Sequence, residues 1–337
     1  MIRLAAVLLV AATGAQATPP SYYASRDDVQ RFAAGVAERH ALDPAWVQRQ
    51  LAQARLQPAV RRLAMPAATP AAKNWAAYRD RFVEPQRIAA GLVFWRTHEA
   101  ALGAAEQRWG VPPQVIVGLI GVETFYGRVL GEFRVLDALA TLAFDFPAGR
   151  SDRSEYFRDE LEQLLLWCRR ERIDCTAPRG SYAGATGLGQ FMPGSINRYA
   201  IDFDDDGHVN LGTSAADAIG SIAAYLSTHG WRRGQPTHYP ARPPEDAAPR
   251  ALLLAPDIVP SFSPSQLAEQ GVRLDADALA HPGLLALVEV HNGDDGAPSY
   301  VAGGDNFYAL TRYNRSSYYA LAVAELGAAI AAQRQRP

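Results

Sequence analysis

One carboxylate lies in a stretch of sequence that is otherwise apolar. Glu123 follows a run of valine, leucine and isoleucine that begins at Val111, and Pro112 and Pro113 can open a helix there. Because the apolar residues cover the whole circumference of that helix, we expect it to be buried. A carboxyl in such a helix is either paired or kept protonated by desolvation, and a protonated carboxyl beside a cleft can act as a general acid. At this point two interpretations stay open, a catalytic acid and a buried structural glutamate.

A second stretch combines glycines with polar side chains. Residues 180–193 contain four glycines together with Ser181, Tyr182 and Gln190. So many glycines cannot pack a core, so the backbone must approach something closely or adopt positive φ angles. The hydroxyl and amide groups are suited to a polyhydroxylated ligand. We therefore expect the wall of a binding site here rather than a purely structural turn.

A third stretch has carboxylates at the spacing of an EF-hand calcium loop. The ligand places one, three, five and seven are taken by Asp202, Asp204, Asp206 and the carbonyl of His208. The glutamate that closes such a loop is missing, and the nearest acid is Asp217. Asp217 also fits a helix capping box that begins at Ser214, so it could cap, ligate or do both. We expect a bound hard cation, Ca²⁺, because three clustered carboxylates repel one another without one.

Helical patterns dominate the chain around these stretches. Capping residues and prolines open several of them, as at Asp43 and Pro44. A Pro/Ala-rich break at residues 58–72 interrupts the helical pattern. The predicted helices cover residues 26–40, 43–56, 85–109, 154–172 and 316–333, and others start at Pro113 and Pro193.

The composition changes after residue 235. Eight prolines between Pro236 and Pro264 predict a stiff, extended connector without a core. Beyond them, a turn at residues 292–296 separates segments with the pattern of short antiparallel strands. These predicted strands cover residues 284–290, 299–301 and 306–311.

Overall composition excludes several classes of function. The hydrophobic content of 48% with 20% charged residues is that of a globular protein, and the net charge of −2 gives no case for a nucleic-acid or anionic-membrane partner. Lys73 is the only lysine in the sequence and lies in a Pro/Ala-rich segment. Chemistry that needs a phosphate-loop lysine or a Schiff base therefore has no good candidate.

The N-terminus has the pattern of an export signal. Arg3 precedes an apolar segment at residues 4–12, and Ala15 and Ala17 form the small-x-small site of a signal peptidase. The segment is too short to span a membrane, and no cysteine lies near the cleavage site. In the oxidising compartment that follows, Cys168 and Cys175 favour a local disulfide over a metal site or two free thiols. We expect an exported, soluble protein.

These motifs occur in a fixed order with several others. The order is Val111-Pro112-Pro113, Gly121-Val122-Glu123-Thr124, Leu136-Asp137-Ala138-Leu139-Ala140-Thr141-Leu142, Gly180-Ser181-Tyr182-Ala183-Gly184-Ala185, Gly189-Gln190-Phe191-Met192-Pro193, the aspartate loop and Thr311-Arg312-Tyr313-Asn314-Arg315-Ser316. In this combination, residues 75–327 resemble the membrane-bound lytic transglycosylase B family. Members of that family cleave the MurNAc–GlcNAc β-1,4 bond of peptidoglycan. The resemblance implies a periplasmic enzyme that acts on peptidoglycan glycan strands.

The resemblance also implies a fold. Family members are mainly α, with a lysozyme-like core, an accessory α-helical domain and a small antiparallel β domain. Transferred to this chain, the pattern predicts a signal peptide at 1–17 and a helical domain at 18–105, completed by a C-terminal helix at 313–337. The catalytic core with the EF-hand-like loop covers 106–235, and the Pro-rich connector and small β domain cover 236–312.

Site residues follow from the resemblance position by position. Glu123 matches the family's sole catalytic acid/base. Groups that line the saccharide cleft correspond to Tyr78, Ser181, Gln190, Tyr225, Tyr313, Asn314 and Tyr319. The structural calcium loop corresponds to Asp202, Asp204, Asp206, the carbonyl of His208 and Asp217. As alternatives, the tyrosines near residue 313 could serve interdomain packing, and Asn314 could cap the last helix.

The implied reaction needs one acid. Glu123 would protonate the glycosidic oxygen and then accept the proton of the MurNAc C6 hydroxyl, which attacks C1 and forms a 1,6-anhydro end. Asp137 and Asp145 could supply the second carboxylate of a usual glycosidase, but their surroundings favour structural hydrogen bonds. Competing interpretations are a muramidase or chitinase-like hydrolase and a non-catalytic peptidoglycan-binding protein.

Two departures from the family pattern are visible. The lipid-anchor cysteine of the family's type member is absent, which leaves no predicted membrane attachment after signal cleavage. The pair Cys168 and Cys175 is not part of the pattern. We further expect a monomer.

Overall fold

The computed structural model describes residues 22–66 and 73–335, and the chain divides into two compact units between Arg55 and Leu56. The predicted signal peptide at 1–17 and the last part of the Pro/Ala-rich break lie outside the described residues. In the first unit, α1 (Asp27–Arg39) packs on α2 (Pro44–Leu51). The carboxylate of Asp43 caps α2 as predicted, accepting from the Ala45 N–H at 3.0 Å.

The second unit is mainly helical with two small antiparallel sheets. Its helices within the described residues are α3 (Pro58–Leu63), α4 (Trp75–Asp80), α5 (Pro85–Thr97), α6 (Glu99–Trp109), α7 (Pro113–Thr124), α8 (Val135–Phe144), α9 (Ser154–Glu171), α10 (Pro193–Tyr199), α11 (Ala215–Thr228), α12 (Ala247–Leu254), α13 (Pro264–Glu269), α14 (Ala276–Leu279), α15 (Asp305–Tyr313) and α16 (Ser317–Arg334). The strands are β1 (Phe133–Arg134), β2 (Arg179–Gly180), β3 (His238–Arg242), β4 (Arg273–Leu274), β5 (Ala286–Val290) and β6 (Ser299–Gly303).

The helix α7 lies in the centre of this unit. Its apolar side chains are buried, with Ile116 and Leu119 fully inaccessible, so the prediction of a buried helix is confirmed. The last helix, α16, packs along α7. A Cβ on Gly118 would lie 2.3 Å from the carbonyl oxygen of Val323 in α16. The close approach of the two helices therefore requires glycine at position 118.

The segment that contains the four-stranded sheet differs from two of the expectations. The sheet has the order β4-β3-β6-β5, and its residues pack on α12 and α13 around Tyr239, Leu253 and Leu267. The predicted connector without a core is therefore wrong for this segment. Its prolines were misleading because Pro249 and Pro264 occupy first turns of helices, where a missing N–H costs little.

The third predicted strand, at residues 306–311, is also wrong. This segment lies inside α15, which starts after Gly304. Phe307, Leu310 and Thr311 are buried together, which is the spacing of one helical face rather than the alternation of a strand.

Most other predicted elements match, although the helix predicted over residues 43–56 ends at Leu51. The helices α9, α10 and α16 begin at Ser154, Pro193 and Ser317, while the helix predicted over 85–109 is divided at His98. Part of the Pro/Ala-rich break forms α3. Along the described ranges, no helix combines the length and apolarity that a membrane span needs. The predicted domain boundaries stay a prediction.

Candidate active site

Glu123 lies in the last turn of α7, at a point where three parts of the chain meet. The helix ends there because Phe125 and Tyr126 have left-handed φ angles of 50° and 57°. The neighbouring Thr124 is fully buried, and its hydroxyl donates to the carbonyl of Leu188 at 2.9 Å. The end of α7 is thus tied directly to the glycine-rich segment.

The surroundings of Glu123 hold its proton near neutral pH. Burial raises the pKa of its carboxyl from the ordinary value of 4.5 to about 7. The Tyr319 hydroxyl opposes this effect, because it donates to Oε1 at 2.6 Å and favours the carboxylate. A carboxyl with a pKa near 7 populates both protonation states, so it can give a proton and take one back.

Two stacked tyrosines lie beside the acid. The rings of Tyr313 and Tyr319 are parallel within 9°, with centroids 6.4 Å apart. The Tyr313 hydroxyl donates to the carbonyl of Gly189 in the glycine-rich segment. Behind Tyr313, at a centroid distance of 4.9 Å, lies Tyr225, which is 8% exposed and donates to the carbonyl of Arg312 at 2.7 Å. Its position in the structure is that of a packing residue, and its predicted contact with substrate stays a prediction.

Tyr78 approaches the acid from α4. Burial raises the pKa of its phenol, and the charge of Glu123 raises it further. Its ring contacts that of Tyr318 edge-on, with centroids 6.0 Å apart. The structure therefore brings Tyr78 to the same cleft as Tyr319, although the two are far apart in sequence.

Asn314 is exposed at the C-terminal end of α15. It does not cap the last helix. That position belongs to Ser316, whose hydroxyl accepts from the Tyr319 N–H at 3.3 Å. The exposed amide of Asn314 is free of a capping duty, and its contact with substrate stays a prediction.

The glycine-rich segment is shaped by its own polar groups. The Ser181 hydroxyl accepts from the N–H of Ala183 and of Ala185, at 3.3 and 3.1 Å. Gln190 has a left-handed φ of 50°, and its amide donates to the carbonyls of Leu130 and Gly187 at 3.2 and 3.1 Å. Within the described residues, the amide oxygen of Gln190 accepts no hydrogen bond, so this atom is available to a ligand.

Two acids considered as second carboxylates have different surroundings. Asp137 is 2% exposed, accepts from the Gln57 amide at 3.1 Å and lies 3.5 Å from the Arg134 guanidinium. It is a structural residue, as predicted. Asp145 lies at the C-terminal end of α8. Neither acid contributes to the pKa of Glu123.

The sequence did not indicate Arg87. Its guanidinium donates to the carbonyl of Gly121 at 2.5 Å and lies 4.4 Å from the ring centroid of Phe125. It is a second donor to a carbonyl in the last turn of the helix that carries Glu123, since this carbonyl also accepts from the Phe125 N–H at 3.2 Å. A signal was present, because a cation in the first turn of a helix, as Arg87 is in α5, is unfavourable and suggests a tertiary partner.

The aspartate loop gathers three carboxylates. Oxygen atoms of Asp202, Asp204 and Asp217 lie within 4.8 Å of one another. Asp217 is fully buried, and its two oxygens accept from the N–H groups of Phe203 and Asn210, both at 2.8 Å. Burial raises the pKa of Asp217, against the lowering effect of those two bonds. The carboxylate of Asp217 therefore points into the loop. The backbone N–H of Asp217 donates to the hydroxyl of Ser214, which caps α11, at 3.1 Å.

The other two predicted ligands are Asp206 and the carbonyl of His208. Asp206 is outside the group of three, and its Oδ1 accepts from the His208 N–H at 2.8 Å. The His208 ring lies 3.8 Å from the carboxylate of Glu171. The role of both as ligands stays a prediction.

A disulfide joins Cys168 to Cys175, with their Cα atoms 5.5 Å apart. Both residues are buried. The helix α9 ends at Glu171, and Arg172 has a left-handed φ of 57°. The bridge therefore fastens the end of α9 to the loop that leads to the glycine-rich segment.

Known proteins share this architecture. Residues 24–328 match the Transglycosylase SLT domain family. The chain is 40% identical over 321 residues to the membrane-bound lytic murein transglycosylase B of Escherichia coli (strain K12), covering 93% of this chain and 85% of that protein. It is similar to the E. coli lytic transglycosylase SLT35 solved in complex with calcium, with a TM-score of 0.82, 39% identity, and coverage of 94% of this chain and 96% of that one.

A more distant structure is also similar. SltB3 from Pseudomonas aeruginosa, solved in complex with NAG-anhNAM-pentapeptide, has a TM-score of 0.75 and 27% identity, with coverage of 90% of this chain and 79% of that one. These similarities confirm the predicted fold class, a mainly α, lysozyme-like protein with a small antiparallel β domain. The chain belongs to the Transglycosylase SLT domain family, together with membrane-bound lytic murein transglycosylase B.

Proposed function

We propose that the protein is a lytic transglycosylase that cleaves the MurNAc–GlcNAc β-1,4 bond of peptidoglycan and leaves a 1,6-anhydro-MurNAc end. The observation that carries this proposal is the state of Glu123. Its carboxyl has a pKa of about 7, set by burial and one tyrosine hydroxyl, with no other carboxylate contributing among the described residues. A glycosidase that works with two carboxylates would need a second acid beside it.

One acid is enough when the substrate supplies the nucleophile. The protonated Glu123 gives its proton to the glycosidic oxygen as the C1–O bond breaks, and the GlcNAc-bearing part of the strand leaves as an alcohol. The Glu123 carboxylate then takes the proton of the MurNAc C6 hydroxyl, whose oxygen bonds to C1. Water is not consumed, and Glu123 ends protonated as it began. The Tyr319 hydroxyl stabilises the carboxylate between the two transfers.

The relatives support both substrate and product. The E. coli relative is a murein transglycosylase by name, and SltB3 was solved with an anhydro-muramyl peptide. In this chain the cleft groups that would hold the strand are Tyr78, Ser181, Gln190, Tyr225, Tyr313, Asn314 and Tyr319. Of these, Tyr319 donates to the acid, and Tyr78 and Tyr313 interact with it electrostatically. The free amide oxygen of Gln190 suits a sugar hydroxyl or N-acetyl N–H.

Analysis of the products tests this proposal. Purified sacculi are digested with the wild-type protein and with Glu123→Gln, and the soluble muropeptides are identified by mass spectrometry. We expect anhydro-muropeptides from the wild type and none from the variant, which should still bind sacculi. Reducing MurNAc ends would instead indicate a hydrolytic muramidase. Lysis by Glu123→Gln would contradict the role of the acid, and binding without lysis by the wild type would indicate a non-catalytic peptidoglycan-binding protein.

We also propose a structural Ca²⁺ held by the aspartate loop. The ligands would be Asp202, Asp204, Asp206, the carbonyl of His208 and Asp217. The donors present fit such an ion, because they are hard oxygen atoms and the carboxylate of Asp217 is fully buried within 4.8 Å of two others. The related SLT35 was solved in complex with calcium. The ion would fasten the start of α11 to the loop that precedes it, with no part in the proton transfers.

Melting experiments test the ion. Added calcium should raise the melting temperature of EDTA-treated protein, and the effect should be lost in Asp217→Asn. Equal melting temperatures with EDTA and with calcium would argue against the site.

We also propose export to the periplasm through a signal peptide at 1–17 and a monomeric state. Cell fractionation tests the export, and light scattering tests the monomeric state.

A further inference from the structure

The segment between β5 and β6, residues 291–298, is fastened to the start of α4; we call it the β5–β6 turn. The turn is tight, because a Cβ on Gly296 would lie 2.2 Å from the carbonyl oxygen of Asn292. The N–H of Gly293 donates to the carbonyl of Lys73, just before α4, at 2.9 Å. The sequence indicated a turn here, but it did not indicate a helix that the turn contacts.

The β5–β6 turn supplies a hydrogen-bond acceptor that α4 itself lacks. The N–H groups in the first turn of a helix have no acceptor within the helix. In α4, the Ala77 N–H donates to the side chain of Asn74 at 3.0 Å, as in an ordinary N-cap. The Ala76 N–H donates instead to Oδ1 of Asn292 at 3.3 Å, across 216 residues of sequence. Asn292 therefore acts as a second cap of α4, supplied by a distant segment.

The two ends of the Asn292 amide have different partners. Its Nδ2 donates within the β5–β6 turn, to the carbonyl of Ala297 at 2.8 Å and to the hydroxyl of Ser299 at 3.1 Å. These two bonds fix the orientation of the side chain, so that Oδ1 faces the N–H of Ala76. Asparagine suits this position because its amide combines donors with an acceptor.

The helix α4 carries Tyr78 to the cleft. It has only six residues, and a helix this short depends on its tertiary contacts for stability. Near its C-terminal end, Arg79 forms an ion pair with Glu325 of α16. Its N-terminal end is held by the β5–β6 turn. Tyr78 lies between these two attachments, and its phenol interacts electrostatically with Glu123.

The β5–β6 turn also contacts the aromatic partner of Tyr78. The ring of Tyr318 lies edge-on to that of Tyr78, with centroids 6.0 Å apart. The Tyr318 hydroxyl accepts from the His291 N–H at 2.7 Å, and the His291 carbonyl accepts from the Trp75 N–H at 2.7 Å. The turn is therefore bonded both to α4 and to the first turn of α16.

We infer that Asn292 is a positioning residue, which caps α4 from the β5–β6 turn and thereby holds Tyr78 beside the catalytic cleft. The inference gives the small β domain a part in substrate binding. Its effect on activity rests on the proposed function and on Tyr78 as a cleft residue, whereas the contact between the turn and α4 is independent of both.

Hydrogen exchange tests the contact without any substrate. In Asn292→Ala, the amide protons of α4 should exchange about three- to tenfold faster, the factor that corresponds to the loss of one helix cap. Exchange in α7 should not change. One control is Ser299→Ala, which removes only an acceptor of Nδ2. The other is Asp275→Ala, which removes the cap of α14 in the same domain. Both controls should leave the exchange of α4 unchanged, and unchanged exchange in Asn292→Ala would overturn the inference.

A double-mutant cycle tests the positioning of Tyr78. KM and kcat for the release of anhydro ends from short glycan chains are measured for the wild type, Asn292→Ala, Tyr78→Ala and the double variant. Asn292→Ala should raise KM by about two- to fivefold and leave kcat unchanged, because molecules with a displaced α4 bind the strand poorly. In the Tyr78→Ala background, the same substitution should have no further effect, because the side chain that Asn292 positions is already absent. The same loss in both backgrounds would indicate a purely structural residue and overturn the inference.

The inference and the proposed function fail in different ways. If the wild type releases no anhydro ends, the proposed function is wrong, and hydrogen exchange still decides whether Asn292 holds α4. If the wild type releases anhydro ends and Asn292→Ala exchanges faster in α4 with an unchanged KM, the turn holds the helix without positioning Tyr78 for the substrate. The inference is then wrong, and the proposed function stands.

Discussion

Replacing Glu123 by glutamine should make the folded protein more stable near pH 8 and leave its stability unchanged near pH 4. In the folded state the pKa of Glu123 is about 7, against an ordinary value of 4.5. Between these two pH values the folded carboxyl keeps a proton that the unfolded chain has lost. The free energy of unfolding of the wild type must therefore fall as pH rises through this window and level off above pH 7.

The size of the effect follows from the two pKa values. They differ by about 2.5, since 7 − 4.5 = 2.5. At about 1.4 kcal/mol for each unit, ionising the buried carboxyl costs up to about 3 kcal/mol. Glutamine never ionises, has nearly the same shape, and its side-chain oxygen can still accept from the Tyr319 hydroxyl. The variant should thus avoid the cost and keep the hydrogen bond.

Urea denaturation of both proteins, repeated from pH 4 to pH 8, measures this difference. A matched control is Glu325→Gln, since Glu325 pairs with Arg79 and gains from its charge. That variant should be neutral or slightly destabilised at every pH in the range. A stability difference between Glu123→Gln and the wild type that does not change with pH would refute a buried carboxyl with a raised pKa.

Four further substitutions test other positions in the structure. Tyr319→Phe removes the donor to the Glu123 carboxylate, so the alkaline limb of the kcat/KM profile should move up by about one pH unit or more, and an unmoved limb would contradict the contact. Gly118→Ala should lower the free energy of unfolding by about 1–3 kcal/mol, because its Cβ would clash with the backbone of α16. Gly103→Ala, which meets nothing within 4 Å in α6, should instead stabilise by roughly 0.5–1 kcal/mol in the same urea titration. Asp217→Asn should abolish the rise in melting temperature on adding calcium, and an undiminished rise would exclude Asp217 as a ligand.

The sequence predicted the burial of the helix that carries Glu123 because burial leaves a strong local pattern. The apolar run before Glu123 covers every face of α7, and no tertiary information is needed to see that such a helix is buried. The partner of the acid could not be found in this way. Tyr319 lies 196 residues further along the chain, and the identity of its hydrogen-bond acceptor depends on how α16 crosses α7. Arg87 was missed although a cation in the first turn of α5 was a signal, because its acceptor, the carbonyl of Gly121, belongs to another helix.

The errors in the small β domain have a local origin. Proline content alone predicted an extended connector, but the position of each proline relative to a helix start decides its effect, as Pro264 at the first residue of α13 illustrates. At α15, the sequence pattern over residues 306–311 predicted a strand. The burial of Phe307 with Leu310 is a helical spacing, which a six-residue window is too short to distinguish from alternation.

In the proposed reaction a single acid transfers two protons, so Glu123 would have to stay in place relative to the sugar between the transfers. The hydrogen bonds around α7 favour this. Thr124, next to the acid, is bonded to the carbonyl of Leu188, and Tyr313 is bonded to that of Gly189. The wall of the cleft is therefore fixed both to the helix that carries Glu123 and to the tyrosine stacked on Tyr319. Since the Thr124 side chain is fully buried, its hydroxyl cannot leave the Leu188 carbonyl without leaving a buried polar group unsatisfied. If a sugar binds on this wall as proposed, its distance from Glu123 would be set by the same packing that raises the pKa of the acid. The protonation state of Glu123 and its position would then be coupled.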